Sequence, residues 1–557
     1  MRIRRLFGTC SSLCLFLTLF LLALYVEPGR AAGDSAVITA ARDGDLQTLR
    51  ALIAKRANVN EPARDGSTAL LLAVDNSNLE MTRALLAAGA AVNTPNNYGV
   101  TPLLQASRTG DLPLITALLK AGANPRLAHP DGETPVMAAA RAGRADAVVT
   151  LVEAGADVNA ATADQETALM WAAAEGHTDV VRALLSAQAD PNRTARVTTI
   201  ADRKNADHPT GGLTALMYAA RNGHEPVVRA LVAGGADPRL TNGDGVTAMA
   251  IAIVNDRFDL ASVLLDLGSD PSDGSLYFAV DMHDATTDMR ARDGSRLRAD
   301  HTNTLTALDL VTRLLDRGAD PNKAFVGKLH STTLCCSEDI NASPFFRAAI
   351  AADVEALKLM LAHGARVEWS PAPPPKTEGR AGAPPGRSGN AGKTPIMVAM
   401  VGGRGAPFAA GPGFERLGAP PFREESNRST ADAVKTLLAA GADPNVTAPD
   451  GSTPLHQAVA ARQVEIIRAL VGAGAKLDAV NRENLTPLLL AEKPEPPPPP
   501  GNNTDSRAWK PKQDSRADVI ATLRELMRLG PDDPAPVPPP LPSPPEADPA
   551  PDAGGPQ

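Results

Sequence analysis

Threonine recurs along this chain at a fixed interval, and the interval restricts the fold more than any other feature does. Thr68 (STALLLAV), Thr101 (VTPLLQAS), Thr134 (ETPVMAAA) and Thr167 (ETALMWAA) stand 33 residues apart, and Ser35 (SAVITAAR) opens the series one interval earlier. Thr214, Thr247, Ser343, Thr394, Thr453 and Thr486 continue the pattern, and GSLYFAV carries Gly274 in the threonine place. A period of this length marks a stack of small units, none of which buries its apolar face alone. One unit would have to offset about 50 kcal/mol of chain entropy, at roughly 1.5 kcal/mol per ordered residue. Stacked neighbours supply the missing contacts. The length of 557 residues, which would otherwise suggest about three or four globular domains, is therefore read as one elongated array of twelve units, from Ser35 to about Gly530.

Each unit reads as two helices. Threonine followed by proline or alanine starts the first: the hydroxyl accepts from an orphan N–H, and proline at the first helical position lacks one. Gly143, Gly176 and Gly223 are expected to end first helices, and Gly89, Gly122, Gly155, Gly235 and Gly441 to end second ones, where a left-handed residue is needed. Between them, residues such as Val180, Val181, Leu184 and Leu185 recur at helical spacing as one buried stripe. The alanines at 138–140 and 172–174 allow helices to approach closely. An aromatic content of 3% suits a thin two-helix layer.

The segments DGSTPLHQAVAARQVEIIRALVGAGAKLDAVN (Asp450 to Asn481) and GLTALMYAARNGHEPVVRALVAGGADP closely match the ankyrin pattern, and the chain resembles ankyrin-repeat proteins over most of its length. The resemblance implies an all-α ankyrin-repeat solenoid of stacked helix–turn–helix units with β-hairpin loops. It also implies a non-catalytic scaffold whose partner is a protein or an extended peptide, with no cofactor. In that family partners lie across the hairpin tips and the exposed side of the first helix. Those places hold Asn97, Tyr98, Val100, Arg108 and Thr109 in the third unit, then Glu133 and Arg141, Glu166 and Glu175, and Arg221 and Asn222. Tyrosine and arginine are favoured anchors, so these residues are the candidate groove; the alternative is that any solenoid exposes such side chains.

GRSGNAGKTP, Gly386 to Pro395, looks like a phosphate-binding loop, but Arg387 stands where that motif needs its first glycine, and no apolar strand precedes it. Gly392 and Thr394 are instead the turn glycine and helix-start threonine of a repeat.

The amino end has three arginines, an apolar run from Leu13 to Val26 and then small residues. This has the form of a secretory signal over residues 1–32, with cleavage after Ala31, Ala32 or Gly33. The expectation is an exported chain, periplasmic or secreted; the alternative is an uncleaved membrane anchor, since Leu6 to Val26 is nearly long enough to span a bilayer. The formal net charge of −8 becomes more negative without the leader's arginines. That balance argues against nucleic acid, and against membrane contact beyond the signal itself.

The regular repeats occupy 33–274; those of 275–530 carry insertions at 285–304, 323–341, 370–392, 403–428 and 494–516, and a further 14 residues follow ADPNRT. Tolerated loop growth is one reading, since closure entropy rises slowly with length; a second binding surface is the other. The tail at 531–557, PDDPAPVPPPLPSPPEADPAPDAGGPQ, has little to bury and is expected to be polyproline-like and disordered.

Beyond the leader the chain has two cysteines, Cys335 and Cys336. Adjacent cysteines can close a strained disulfide, serve as a dithiol or remain simple thiols, which leaves a redox-linked or metal-linked accessory as a second class of function, with a membrane-tethered spacer as a third. His283, Asp284, Asp288 and His301 surround one insertion without metal-ligand spacing, so no metal site is assigned. His177 and His224 occupy the GH place of the repeat and His456 completes TPLH. Met137, Met170, Met217 and Met397 share one repeat position and are read as packing.

Overall fold

The computed structural model describes residues 34–200, 208–284, 302–325, 342–371, 392–400, 429–494 and 513–539. The described residues contain twelve helix pairs, one for each unit of the series, from Ala36–Asp43 with Leu46–Ala54 in repeat 1 to Pro487–Glu492 with Arg516–Met527 in repeat 12. They fall into two compact units divided between Asp157 and Val158. Helix pairs 1–4 lie in the first and helix pairs 5–12 in the second, which also takes the end of the repeat 4 loop, with Asn159. Each is an all-α stack of helix pairs, the fold class implied by the repeat.

The helix starts follow from the hydroxyls. Thr68, Thr101, Thr167 and Thr247 are N-caps in extended backbone, and each accepts the N–H three residues on at 3.2–3.3 Å. Thr394 caps the short helix Pro395–Val398 by position only, without a side-chain bond; Gly392 before it has φ 74°, as a turn glycine should. Where Gly274 replaces threonine, the preceding residue takes over. The Asp273 carboxylate accepts from the Ser275 N–H at 2.8 Å and from the Thr247 hydroxyl at 2.5 Å, and its pKa is raised, chiefly by burial.

The glycine after the first helix is required twice over. Gly223 has φ 82°, and a Cβ there would meet the Arg257 guanidinium of the next repeat at 2.1 Å. In the same way the His224 ring lies over Gly176 and its Nε2 stands 3.0 Å from the Ala174 carbonyl, a structural seat for that imidazole.

First helices are almost wholly enclosed, with Val136, Met137, Ala138, Ala139 and Ala140 at 2% exposure or less. Successive repeats are also tied by a side chain at the last place of the GADPN segment. Asn60, Asn93, Asn159, Asn192, Asn322 and Asn445 each donate to a carbonyl of the next repeat at 3.0–3.1 Å and accept a backbone N–H from it at 2.7–2.8 Å. Arg126 keeps half of this clamp, its Nε on the Gly155 carbonyl at 2.7 Å. Arg239 keeps none and turns back on Asp237 of its own repeat.

Most hairpin loops are tight turns closed by backbone bonds, such as His129 N–H to the Glu133 carbonyl at 2.8 Å. One grows into a ladder, Val197–Ile200 antiparallel to His208–Gly211. The same closure recurs below the second insertion of repeat 8, where Phe325 N–H bonds the Ala342 carbonyl at 3.2 Å. Phe325 packs there against Tyr277 and Phe278.

Candidate protein-binding face

In the first unit, the tip of repeat 3 holds one aromatic ring out to solvent. The Asn96 side-chain oxygen accepts from the backbone N–H groups of Tyr98 and Val100 at 3.1 and 3.0 Å, the side-chain-to-backbone turn that asparagine favours. Asn97 joins this tip to the one before it, with its N–H on Asp65 O at 2.9 Å and its side-chain amide on Arg64 O at 3.3 Å. Val100 is half-buried, while Tyr98 is 69% exposed. A ring so displayed on a backbone bonded at several points loses little freedom when a partner covers it.

Arg108, Glu133 and Arg141 form one arrangement rather than three separate contacts. Glu133 is 3% exposed. Arg108, at the end of its repeat's first helix, brings Nε to 3.2 Å from one carboxylate oxygen and adds a second bond through Nη2; Arg141 reaches the other oxygen at 3.1 Å. A buried carboxylate requires such pairing. The triad carries one net positive charge at the surface, since the arginine side chains remain 30% and 49% exposed. Glu133 itself is thus inside the protein, and only the two guanidinium groups face outward. Thr109 is exposed and its hydroxyl turns back to the Ala106 carbonyl at 3.1 Å.

In the second unit, Glu166 organises an aromatic pair. Trp171, on Ala168–Ala174, donates its indole N–H to Glu166 at 3.0 Å, and Tyr218, on Ala215–Asn222, donates its hydroxyl to the other oxygen at 2.9 Å. Burial, with the Glu166 carboxylate beside it, raises the Tyr218 pKa far above its ordinary value of 10.0, so the hydroxyl remains a donor. The Arg221 guanidinium lies 5.0 Å from the Tyr218 ring centre, within the range of a cation–π contact. Asn222 is held by the Ala174 carbonyl at 2.7 Å, and Glu175 is exposed.

Trp171 and Tyr218 are absent from the sequence-derived groove because they stand four places after the helix-start threonine, where an apolar residue reads as core. Both are half-buried. The legible signal was the aromatic type: two adjacent repeats, ETALMWAA and LTALMYAA, place a ring with a polar edge where a solenoid core takes an aliphatic chain.

Among the described residues, no three His, Cys, Asp or Glu side chains stand together as a metal set. His283 pairs with Asp353, while Asp281 pairs with Arg347 at 2.6 Å. Cys335, Cys336, Asp288 and His301, the leader and residues 540–557 lie outside the described residues. No described helix is long and apolar enough to cross a membrane.

A family model described as "Ankyrin repeats (3 copies)" matches residues 18–96, 37–129, 103–195, 198–274 and 425–494. The E3 ubiquitin-protein ligase KEG of Arabidopsis thaliana is 38% identical over 74 residues, 13% of this chain and only 5% of that protein. The ankyrin repeat domain of human ASB11 is similar at 25% identity over 42% of this chain and 99% of that one, with a TM-score of 0.37. With the family model matching more than half of its residues, and a helix pair for every copy of the repeat, the chain belongs to the ankyrin-repeat family.

Proposed function

We propose that this chain is a non-catalytic, exported scaffold that holds another protein, or an extended peptide of one, across its hairpin tips and the exposed side of its first helices. Ankyrin repeats generally bind proteins, and the observation that carries the reading here is Tyr98, 69% exposed on a turn already bonded at several points. Aromatic and arginine anchors on rigid supports concentrate binding energy. The Arg108–Glu133–Arg141 triad and Arg221 would add charge-assisted bonds to a partner carboxylate. The arginine-led apolar leader, MRIRRLFGTCSSLCLFLTLFLLALYVEPGRAAG, supports export.

The test is capture of partners from exported fractions by the full chain and by a Tyr98→Ala, Arg221→Ala variant. Arg108 and Arg141 are kept, because removing either weakens the pairing of the buried Glu133. Loss of at least about thirtyfold in affinity is expected, the scale of two anchor residues. Equal capture by both chains would exclude Tyr98 and Arg221 as anchors. The exported chain is expected to begin at Ala32, Gly33 or Asp34; an intact leader on a membrane-bound chain would replace the cleaved signal with the uncleaved anchor, and a chain found only inside the cell would overturn the export reading.

A further inference from the structure

We propose that Glu133 decides which group the Arg108 and Arg141 pair accepts from a partner: a single carboxylate, in preference to a phosphate ester. The inference rests on the reading of this side of the repeats as a binding face and names the chemical class that one part of it takes. Glu133 itself touches no partner. It acts through the two arginines, as a positioning residue that also sets their selectivity.

Its place is fixed before anything binds. The Glu133 N–H donates to the Asp131 carboxylate at 2.9 Å, and the Glu133 carbonyl accepts the His129 N–H at 2.8 Å. The side chain then gives one oxygen to each arginine, Oε2 to Arg108 and Oε1 to Arg141. Two hydrogen bonds and the width of a carboxylate hold the bonding nitrogens of the two guanidinium groups within about 8 Å of each other. The Glu133 side chain is 5% exposed, against 30% for Arg108 and 49% for Arg141. From the interior outward the carboxylate therefore comes first and the guanidinium groups lie above it. Arg108 uses Nε and Nη2 on Glu133, and its Nη1 makes no hydrogen bond among the described residues. An anion arriving from solvent meets the arginines, with Glu133 behind them.

Charge then selects the ligand. Two arginines over one carboxylate carry one net positive charge, and Asp131, paired with His129 at 2.7 Å and 62% exposed at its side chain, adds a negative group on the same tip. Attraction to such a site grows in proportion to the ligand's charge, whereas the cost of taking the ligand out of water grows with its square. A carboxylate matches one net charge, and its two oxygens suit two guanidinium donors. A phosphate ester carries about −1.5 to −2 at pH 7, so its greater desolvation is not offset here. Without the Glu133 charge the same two arginines would form a site of two net positive charges, the kind of arginine cluster that takes phosphate.

Arginine-selective nitrogen-15 labelling of the full chain tests this, with the Nε–H signals of Arg108 and Arg141 assigned by single arginine-to-lysine variants. The probes are acetate and methyl phosphate, the second a dianion at about pH 8 because its second pKa is near 6. In wild type, acetate is expected to shift both signals saturably, with half-saturation on the order of tens of millimolar, and methyl phosphate to bind no more tightly. Glu133→Gln should bind methyl phosphate at least about tenfold more tightly than wild type does, with a smaller gain for acetate. Arg141→Gln leaves Glu133 paired with Arg108 at no net charge and should lose the acetate shift at Arg108. That variant and the wild-type preference decide the matter even if Glu133→Gln fails to fold. Tighter binding of methyl phosphate than of acetate by wild type overturns the proposal, as do an unchanged preference in a folded Glu133→Gln and an acetate shift that survives in Arg141→Gln. If neither probe moves either signal while the Tyr98 and Arg221 variant still loses its captured partner, this inference falls and the binding-face reading stands.

Discussion

Three places after the helix-start threonine, one atom does the same work in several repeats. In repeat 11, His456 Nδ1 accepts the Thr453 N–H at 3.2 Å while Nε2 lies 3.0 Å from the Leu485 carbonyl of the next repeat. One nitrogen accepts and the other donates, so the ring is neutral. In repeats 4 and 6 the sulfur of Met137 and Met217 takes the equivalent N–H at 3.5 Å; those methionines pack, as read from the sequence, and also close the helix start. Burial lowers the pKa of His456 from its ordinary 6.5. As pH falls through that value the unfolded chain takes up the proton first, so the folded state loses stability below it and has the full contribution above it. Denaturant unfolding at pH 7.5 and about 5.5 should therefore show a larger acid loss for wild type than for His456→Gln; an equal loss would exclude this histidine as a source. Much at this scale was legible. Thr68, Thr101 and Gly223 declared themselves because a cap or a left-handed turn depends on nearby sequence alone. The joining of Arg108 to Glu133 was not, because it depends on how two repeats register across 25 residues.

At the level of the helix pair, the asparagine clamp distinguishes one junction from another. Asn192 bonds both the Gly235 carbonyl and the Asp237 N–H, whereas Arg239, in the same place one repeat later, bonds only Asp237. Asn192→Ala should cost about 1–2 kcal/mol through two lost bonds, and Arg239→Asn should gain about 1 kcal/mol by restoring the clamp toward repeat 7. Chemical denaturation of the two variants checks both signs, and a neutral Arg239→Asn would mean that the next repeat's backbone is satisfied otherwise. The GADPN wording made the position visible in the sequence, but its task was not, since a side chain reaching the following repeat leaves no local periodicity. The aromatic pair was missed for a similar reason: the period that identifies a core stripe does not reveal which of its members face a rim.

Across the whole molecule, stability is a sum of local pieces and neighbour contacts, so it need not be even. Repeat 10 has the shortest first helix among the described residues, Pro395–Val398, and its Thr394 hydroxyl is buried without a bond. The corresponding helix of repeat 11, Pro454–Ala460, is closed by His456. Amide exchange at Ile396–Val398 is expected to run at least about tenfold faster than at Leu455–Val459, reflecting a difference above about 1.4 kcal/mol in local opening; equal protection would make the two repeats one cooperative piece. The hairpin necks point in another direction. Three residues separate His129 from Glu133 and sixteen separate Phe325 from Ala342, yet the same single backbone bond closes both. The stack is therefore indifferent to the cargo beyond the neck. An epitope or a fluorescent reporter spliced between Phe325 and Ala342 would be carried outside repeat 8, with the helices beneath keeping their register, which makes this chain a display frame with a port already cut.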